Sequence, residues 1–563
     1  MKTLINRLRR SDTDFKELMH GGAVAFLVKI LGAGSAFAMN VVIARELGAD
    51  QAGLYFLAYT LVIALAAISR LGLDNTLVRF IASHHAAQEW PEIRQVFGLS
   101  VRWSLVASVL AAMLLWLWAE VLARDLFGRP EFATVIRLMA PVIPLMALFT
   151  LHASALQGIK RILESQSSLS VVLPLTMALL ALLIQPADAR TAALLLFAAS
   201  AGVLALSVWW WWRALPRAQL EAVTVDQRAI LASCLPLLMV VASNQIVTWS
   251  SQIFLGVWAD AADVAVFNAA QRTAILISLV LVAVNSIAAP KFAALYRLGQ
   301  HDALRKTALH ATRVMLGLAL IPFTLIQIGA EPILSLFGAE FTAGATVLRI
   351  LALGQLVNVA TGSVGFLLSM TGHERLLRNN VLVAAVVALG GGVALIPPFG
   401  LIGAAVATAA GMAIQNLLCV WQVRRVLGFN TLAIWQNVSA PRLQQPHAQP
   451  AQPEVLSSAR PSGQPNLQAR QRSTPSYGLP SMSIFFILMM FLSLILSLIL
   501  ALTYWPGSAA YLGGVDPSLY RESILWGLGG VFVASLFAAL ARVFYDLNRL
   551  VEAVVRRQPT DEL

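Results

Sequence analysis

The sequence predicts an all-α polytopic membrane protein. Two six-helix lobes are arranged as parallel repeats. A disordered linker and a C-terminal two-helix transmembrane hairpin follow. Three observations predict this. Of 563 residues, 58% are hydrophobic and only 12% are charged, with mean hydropathy +0.74; soluble domains carry about 25% charged residues, so a soluble enzyme is excluded. Apolar runs of spanning length recur along the chain, each near the ~20 residues a membrane helix needs. Non-apolar landmarks in the first half recur in the second at nearly constant spacing.

The spans are expected at 21–43, 52–70, 99–120, 133–157, 168–185, 191–212, 232–257, 268–289, 308–329, 346–370, 380–398 and 401–422. Two more are expected at 482–504 and 523–545. The stretch before the first span, Met1 to Glu17, mixes basic and acidic residues, so no cleavable signal is expected. The net charge of +12 fits cationic cytoplasmic loops rather than nucleic-acid binding. With the N-terminus inside, the inner segments collect most Lys and Arg, among them Arg9, Arg10, Lys160, Arg161, Arg297 and Arg305. The outer loops hold only Arg45, Arg124, Arg129 and Arg190. A cytoplasmic N-terminus follows. Trp209 to Trp212, ahead of Arg213, then form an interfacial anchor.

The repeat is read from ordered landmarks. Phe127-Gly128 corresponds to Phe337-Gly338, Arg137 to Arg349 and Gly158 to Gly372. The offsets are 337−127 = 210 and 372−158 = 214. Because six spans is an even number, the halves share one orientation and are related by an axis along the membrane normal. The expected division is 1–215 and 216–435 for the lobes, 436–481 for a linker rich in Pro, Gln and Ser, and 482–563 for the hairpin and tail. The linker has too few large apolar residues to fold alone.

Catalytic and cofactor motifs are missing. There is no phosphate-binding loop ending in Gly-Lys-Ser or Gly-Lys-Thr, no HExxH and no GxSxG. Cys234 and Cys419 have no disulfide or metal spacing. No cofactor, metal or catalytic residue is expected. The run GAGSAF (32–37) lies inside a span, where its glycines permit close helix packing.

Ionisable and amide residues within spans are therefore the candidates. Lys29 lies about 4–5 Å short of the middle of the first span at 1.5 Å per residue. A lysine costs about 2.5–3.5 kcal/mol at a helix centre, so it faces a bundle interior or aqueous cavity. The alternative is a lysine at the cytoplasmic mouth. Arg272 opens the eighth span beside Asn268 and Gln271. In the seventh, Asn244, Thr248, Ser251 and Gln252 share a helical face. That face either lines a polar cavity or serves interhelical hydrogen bonding, worth about 0.6–2 kcal/mol per bond. Gln355 and Asn358 in the tenth span read the same way. Arg70 and Arg79 flank LGLDNTLV after the second span, and His84 and His85 lie in an interfacial loop. Pro141, Pro144, Pro174, Pro236 and Pro322 fall within spans and fit helices that bend. No Asp or Glu lies deep in the first twelve spans. The expected cavity is cationic and suits an anionic cargo group such as a phosphate or pyrophosphate.

The stretch KILGAGSAFAMNVVIARELGADQAGLYFLAYTL (29–61) resembles the N-terminal signature of bacterial polysaccharide (Wzx-like, O-antigen) flippases of the multidrug/oligosaccharidyl-lipid/polysaccharide exporter superfamily. Its landmarks here are Ala44, Arg45, Leu47, Gly48, Gly53, Tyr55, Leu57 and Ala58, and the resemblance covers about 1–425. It implies a V-shaped pair of six-helix lobes around a central cavity in the bacterial inner membrane. It also implies an undecaprenyl-pyrophosphate-linked oligosaccharide moving from the cytoplasmic to the periplasmic leaflet. Relatives hold the pyrophosphate with cationic residues of the first, second and eighth helices; by position these are Lys29, Arg272, Arg70 and Arg79. The linker and the two extra spans depart from the twelve-span pattern. Lipid II flippases have fourteen spans, but their usual signatures are not seen here. The hairpin would either dock partners such as polysaccharide polymerase or export proteins or serve regulation. Two other readings stay open, a multidrug exporter exchanging cations for drugs and a non-transporting scaffold of a polysaccharide synthase. The missing intramembrane carboxylate argues against the exporter.

Overall fold

A computed structural model describes residues 2–216 and 227–433. The chain divides into two units, Met1–Arg442 and Leu443–Leu563. The expected linker and hairpin lie outside the described residues. Within the first unit the described residues are helical throughout, with no strand. In order the helices are α1 (Lys2–Ser69), α2 (Leu73–Ala86), α3 (Trp90–Leu117), the single turn α4 (Ala119–Val121), α5 (Phe132–Met139), α6 (Val142–Gly158), α7 (Ile162–Ser167), α8 (Leu173–Ile184) and α9 (Ala189–Ala214). Then follow α10 (Gln227–Trp258), α11 (Ala261–Ala274), α12 (Leu279–Arg297), α13 (His301–Leu334), α14 (Ala345–Ala360), α15 (Val364–Met370) and α16 (Glu374–Leu427).

Each of the first twelve expected spans has a helical counterpart. Nine helical stretches among the described residues are long and apolar enough to cross a membrane. Two of them, Val28–Ser69 and Glu374–Leu427, each contain a break and supply two spans. The breaks are Gly48 (φ 69°, ψ 170°) and Gly400 (φ 52°, ψ −128°), backbone conformations that cost glycine little because it lacks a Cβ. With α10, of 32 residues, the twelve expected positions are accounted for. Span boundaries shift where polar residues continue a helix. The segment holding His84 and His85, expected as a loop, forms the end of α2 instead. His84 Nδ1 lies 2.6 Å from Glu89 Oε2 there. Asp188 caps α9 by accepting from the Thr191 backbone N–H at 2.9 Å. Those hydrogen bonds hold its carboxyl below the ordinary value.

Helix pairings recur in the two halves. In the first, α3 and α9 both pack on α6; in the second, α13 and α16 both pack on α14. The two landmark arginines each lie near a glutamate. Arg137 pairs with Glu120 at 2.9 Å, and Arg349 lies 3.9 Å from Glu331. Between the halves, α1 packs on α10, α11 and α12, and α2 packs on α10. Glycines set the closest approaches. A Cβ on Gly53 would lie 1.8 Å from the Ala261 carbonyl oxygen, and one on Gly72 2.6 Å from the Cys234 carbonyl oxygen. Gly32 is equally tight against Ser170, whereas Gly34 faces open space. Only the first of the two glycines in GAGSAF therefore serves helix packing.

Gly53→Ala must push α1 off α11, because the obstacle is backbone. Overpacking of this kind costs about 1–3 kcal/mol. The thermal unfolding midpoint in detergent is expected to fall for Gly53→Ala. Gly98→Ala, on α3 with no neighbour within 4 Å, is expected to leave it unchanged.

Candidate functional site

The polar residues cluster where α1, α10 and α11 meet. The eighth helical span starts at Ala261, not near 268, so Arg272 does not open it as expected. Arg272 lies eleven residues in, about 16 Å along the axis at 1.5 Å per residue. The half-thickness of a hydrocarbon core is about 15 Å. Asp260 and Asp263 disguised this start, because acidic residues read as loop. Asp263 in fact lies in the first turn of α11, where a carboxylate complements the helix dipole.

An aromatic ring covers the guanidinium. Its Cζ lies 4.9 Å from the centroid of the Trp249 ring on α10. Tyr59, eleven residues beyond the Gly48 break, stands on the neighbouring α1. Tyr59 stacks on Tyr55 at 5.9 Å and 15°. Arg272 Nε is buried without a hydrogen-bond partner. No carboxylate pairs with Arg272 among the described residues. Asn268 Oδ1 and Gln271 Oε1, on the same helix, are likewise buried and unpartnered. A short 3-10 stretch, Ile275–Ser278, follows one turn later, a local irregularity of the kind found at functional hinges.

The expected polar face of α10 divides by depth. Gln252 is fully buried. Its amide donates to the Phe56 carbonyl at 3.3 Å, and Asn268 Nδ2 donates to its oxygen at 3.4 Å. Ser251 accepts from Thr408 at 2.8 Å. Gln271 donates to the Thr248 carbonyl at 3.2 Å. These bonds join α10 to α1, α11 and α16. Asn244, two turns further along, is exposed. One side of the face serves packing, therefore, and its far end faces open space.

The other candidates lie apart. Lys29 is exposed and eighteen residues before Leu47, about 27 Å along the helix. That puts it at the start of the apolar stretch Val28–Ser69, away from the Gly48 break. Leu31 and Gly34 are exposed on the same stretch. Arg70 is 3.5 Å from Asp74 and donates to the Ala66 carbonyl at 3.3 Å. Arg79 is exposed, 5.2 Å from the Phe80 ring centroid. On α14, Asn358 donates to Gln355 at 3.4 Å. Of the eight candidates, only Gln252 and Arg272 are tied into one cluster, through Asn268 and the neighbouring α10 residues. Trp249 and Tyr59 were not among the sequence candidates. Both stand at mid-span within polar neighbourhoods, which was the available signal.

The comparisons agree with this architecture. The family described as polysaccharide biosynthesis protein matches residues 18–296. The probable low-salt glycan biosynthesis flippase Agl15 of Haloferax volcanii is 22% identical over 403 residues, covering 71% of this chain and 82% of that protein. Among solved structures, an inward-facing multidrug resistance MATE family transporter of the MOP superfamily superposes with TM-score 0.59 at 16% identity, covering 74% of this chain and all of that one. The lipid II flippase MurJ in an inward closed conformation gives TM-score 0.59 at 12% identity, covering 94% and 99%. A MOP superfamily transporter from Pyrococcus furiosus, with a binding pocket of reverse polarity, gives 0.54 at 16% identity, covering 75% and 97%. At such identities the structural likenesses establish the fold.

The split of the α10 face is testable by stability. Gln252→Leu removes one of two side-chain donors to the Phe56 carbonyl, which keeps Thr60, and strands the Asn268 amide; it is expected to cost about 0.6–2 kcal/mol per lost bond. It should lower the unfolding midpoint measured in detergent, whereas Asn244→Ala should leave it in place.

Proposed function

We propose, for a chain whose residues 18–296 match the polysaccharide biosynthesis protein family, that it is a flippase for a lipid-linked oligosaccharide. In this reading Arg272 engages the anionic linkage between lipid and sugar, an undecaprenyl pyrophosphate. The carrying observation is the guanidinium at mid-depth with no carboxylate partner. An arginine there is costly unless it faces water or an anion. A cation–π contact returns about 0.5–2 kcal/mol and leaves the donors of the fork free for bidentate binding of phosphate oxygens. Trp249 holds the fork in place. Asn268 and Gln271 offer amide oxygens to sugar hydroxyls.

Transport follows as alternating access, with the two halves rocking about the α1–α11 seam while the prenyl chain stays in lipid. The N-terminus is cytoplasmic and cargo moves outward across the bacterial inner membrane. An inside-negative potential favours that direction by about 2.3 kcal/mol per anionic charge per 100 mV. Lys29 stands at the cytoplasmic entrance, where an exposed ammonium attracts the headgroup. Arg70 and Arg79 belong to the same inner end. Asn244, Gln355 and Asn358 line the path of the glycan. The linker and hairpin dock the polymerase or export proteins that receive the product. Exchange of cations for drugs is disfavoured, because the site offers a guanidinium where a cation would need a carboxylate.

The test is translocation of fluorescent prenyl-pyrophosphate oligosaccharides in proteoliposomes. Loss of one charged hydrogen bond, about 1.5–3 kcal/mol, predicts a fall of roughly ten- to a hundredfold for Arg272→Ala, with a smaller loss for Lys29→Ala. Arg45→Ala, at an exposed position, should transport normally. Wild-type rates in Arg272→Ala would overturn the assignment, and tolerance of alanine at Lys29, Asn244 and Arg272 together would favour a scaffold.

A further inference from the structure

The two Phe-Gly landmarks of the repeat do more than mark it. Each reaches across to the opposite half, and each does so in the same two ways. Phe127 of the first half packs against Gly256 at the end of α10; a Cβ at Gly256 would sit 3.1 Å from its ring. Phe337 of the second half packs edge-on against Phe37 of α1, with ring centroids 5.4 Å apart. Beside each phenylalanine stands a charged residue that caps a helix end of the other half. Glu340 Oε1 accepts from the Ala49 backbone N–H at 2.7 Å, the first N–H after the Gly48 break. Arg129 donates to the Gly256 carbonyl at 3.5 Å and to the Ala259 carbonyl, at the end of α10.

The chemistry suits both sites. The first N–H groups and last C=O groups of a helix lack intrahelical partners. An anion at the start and a cation at the end are favoured by the helix dipole. Glu340 and Arg129 therefore stand at ends of complementary sign. These contacts surround the tightest inter-half approach, that of Gly53 to Ala261. A small cavity at the same place is lined by Asp50, Arg129, Glu131 and Asp260. Water entering there can replace these hydrogen bonds as they break.

We propose that the Phe127–Arg129 and Phe337–Glu340 segments form a reciprocal latch. It holds this end of the seam shut, and its rupture is the step that opens the end. Each half carries one aromatic plug and one charged cap, so the latch releases only when the halves separate, not when a single loop moves. The inference uses the alternating-access reading above, yet its test needs no cargo and can fail independently.

The test is a distance measurement in the full chain, with Cys234 and Cys419 replaced by serine. Spin labels are placed at Arg190→Cys and Ala343→Cys, exposed positions of the first and second halves outside the latch contacts. The otherwise unaltered protein should give one short distance population. Arg129→Ala with Glu340→Ala should raise a longer population about tenfold, each single variant less, as loss of charged hydrogen bonds implies. Arg129→Lys and Glu340→Gln keep a donor and an acceptor, and should retain the short distance. An unchanged distribution in folded double-alanine protein would overturn the latch. Should the double variant not fold, the single variants read the same distance, and no shift in either would overturn it equally.

Discussion

Everything polar in this bundle depends on how closely two helices can meet. At Gly53, α1 and α11 are so near that no side chain fits between them and the Ala261 carbonyl. That contact sets the level of every residue further along both helices. Further along, α11 carries Arg272, whose guanidinium lies over the Trp249 ring of α10. The contact also draws Gln252 under the Phe56 carbonyl. A larger residue at Gly53 would spread the seam and dissolve the aromatic enclosure of the guanidinium.

The enclosure explains how an arginine persists at such a depth. Helix-centre arginine costs about 2.5–3.5 kcal/mol on insertion scales, and a cation–π contact recovers only part of that. Nothing anionic among the described residues supplies the remainder. A site built this way gains most from a doubly charged, oxygen-rich group. In the proposed reading, the same lack of an internal counter-ion sets the preference for anions. The surrounding amides contribute rigidity rather than charge, since Gln252, Asn268 and Gln271 are largely committed to holding α10, α11 and α1 in register.

Most of the fold was legible because lipid enforces it. Apolar length marks the spans, and the Ala44–Ala58 motif contained the glycines that break α1 and admit α11. The linker and hairpin, also read from composition, lie beyond the described residues. The depth of Arg272 was misread because Asp260 and Asp263 resemble loop residues while belonging to a helix start. Lys29 read as near mid-span because the helix was expected to end at 43; it continues to the Gly48 break, which moves Lys29 toward the other end. The polar face of α10 had the right periodicity, but periodicity cannot tell a cavity wall from an interhelical bond. The partners of Arg129 and Glu340 were illegible for a different reason. Ala49 is 291 positions from Glu340, and no local pattern encodes a contact at that separation.

The central claim is that Arg272 recognises the anionic linkage and not the lipid or the sugar. It is tested most directly by binding in detergent, using a prenyl-pyrophosphate disaccharide and the matching neutral prenyl disaccharide as paired ligands. The wild type should prefer the pyrophosphate by at least about tenfold, the effect of a single charged hydrogen bond. Arg272→Gln should abolish the preference while leaving the neutral ligand's affinity unchanged. A preference that survives in Arg272→Gln would contradict the account and move the anion site elsewhere in the bundle.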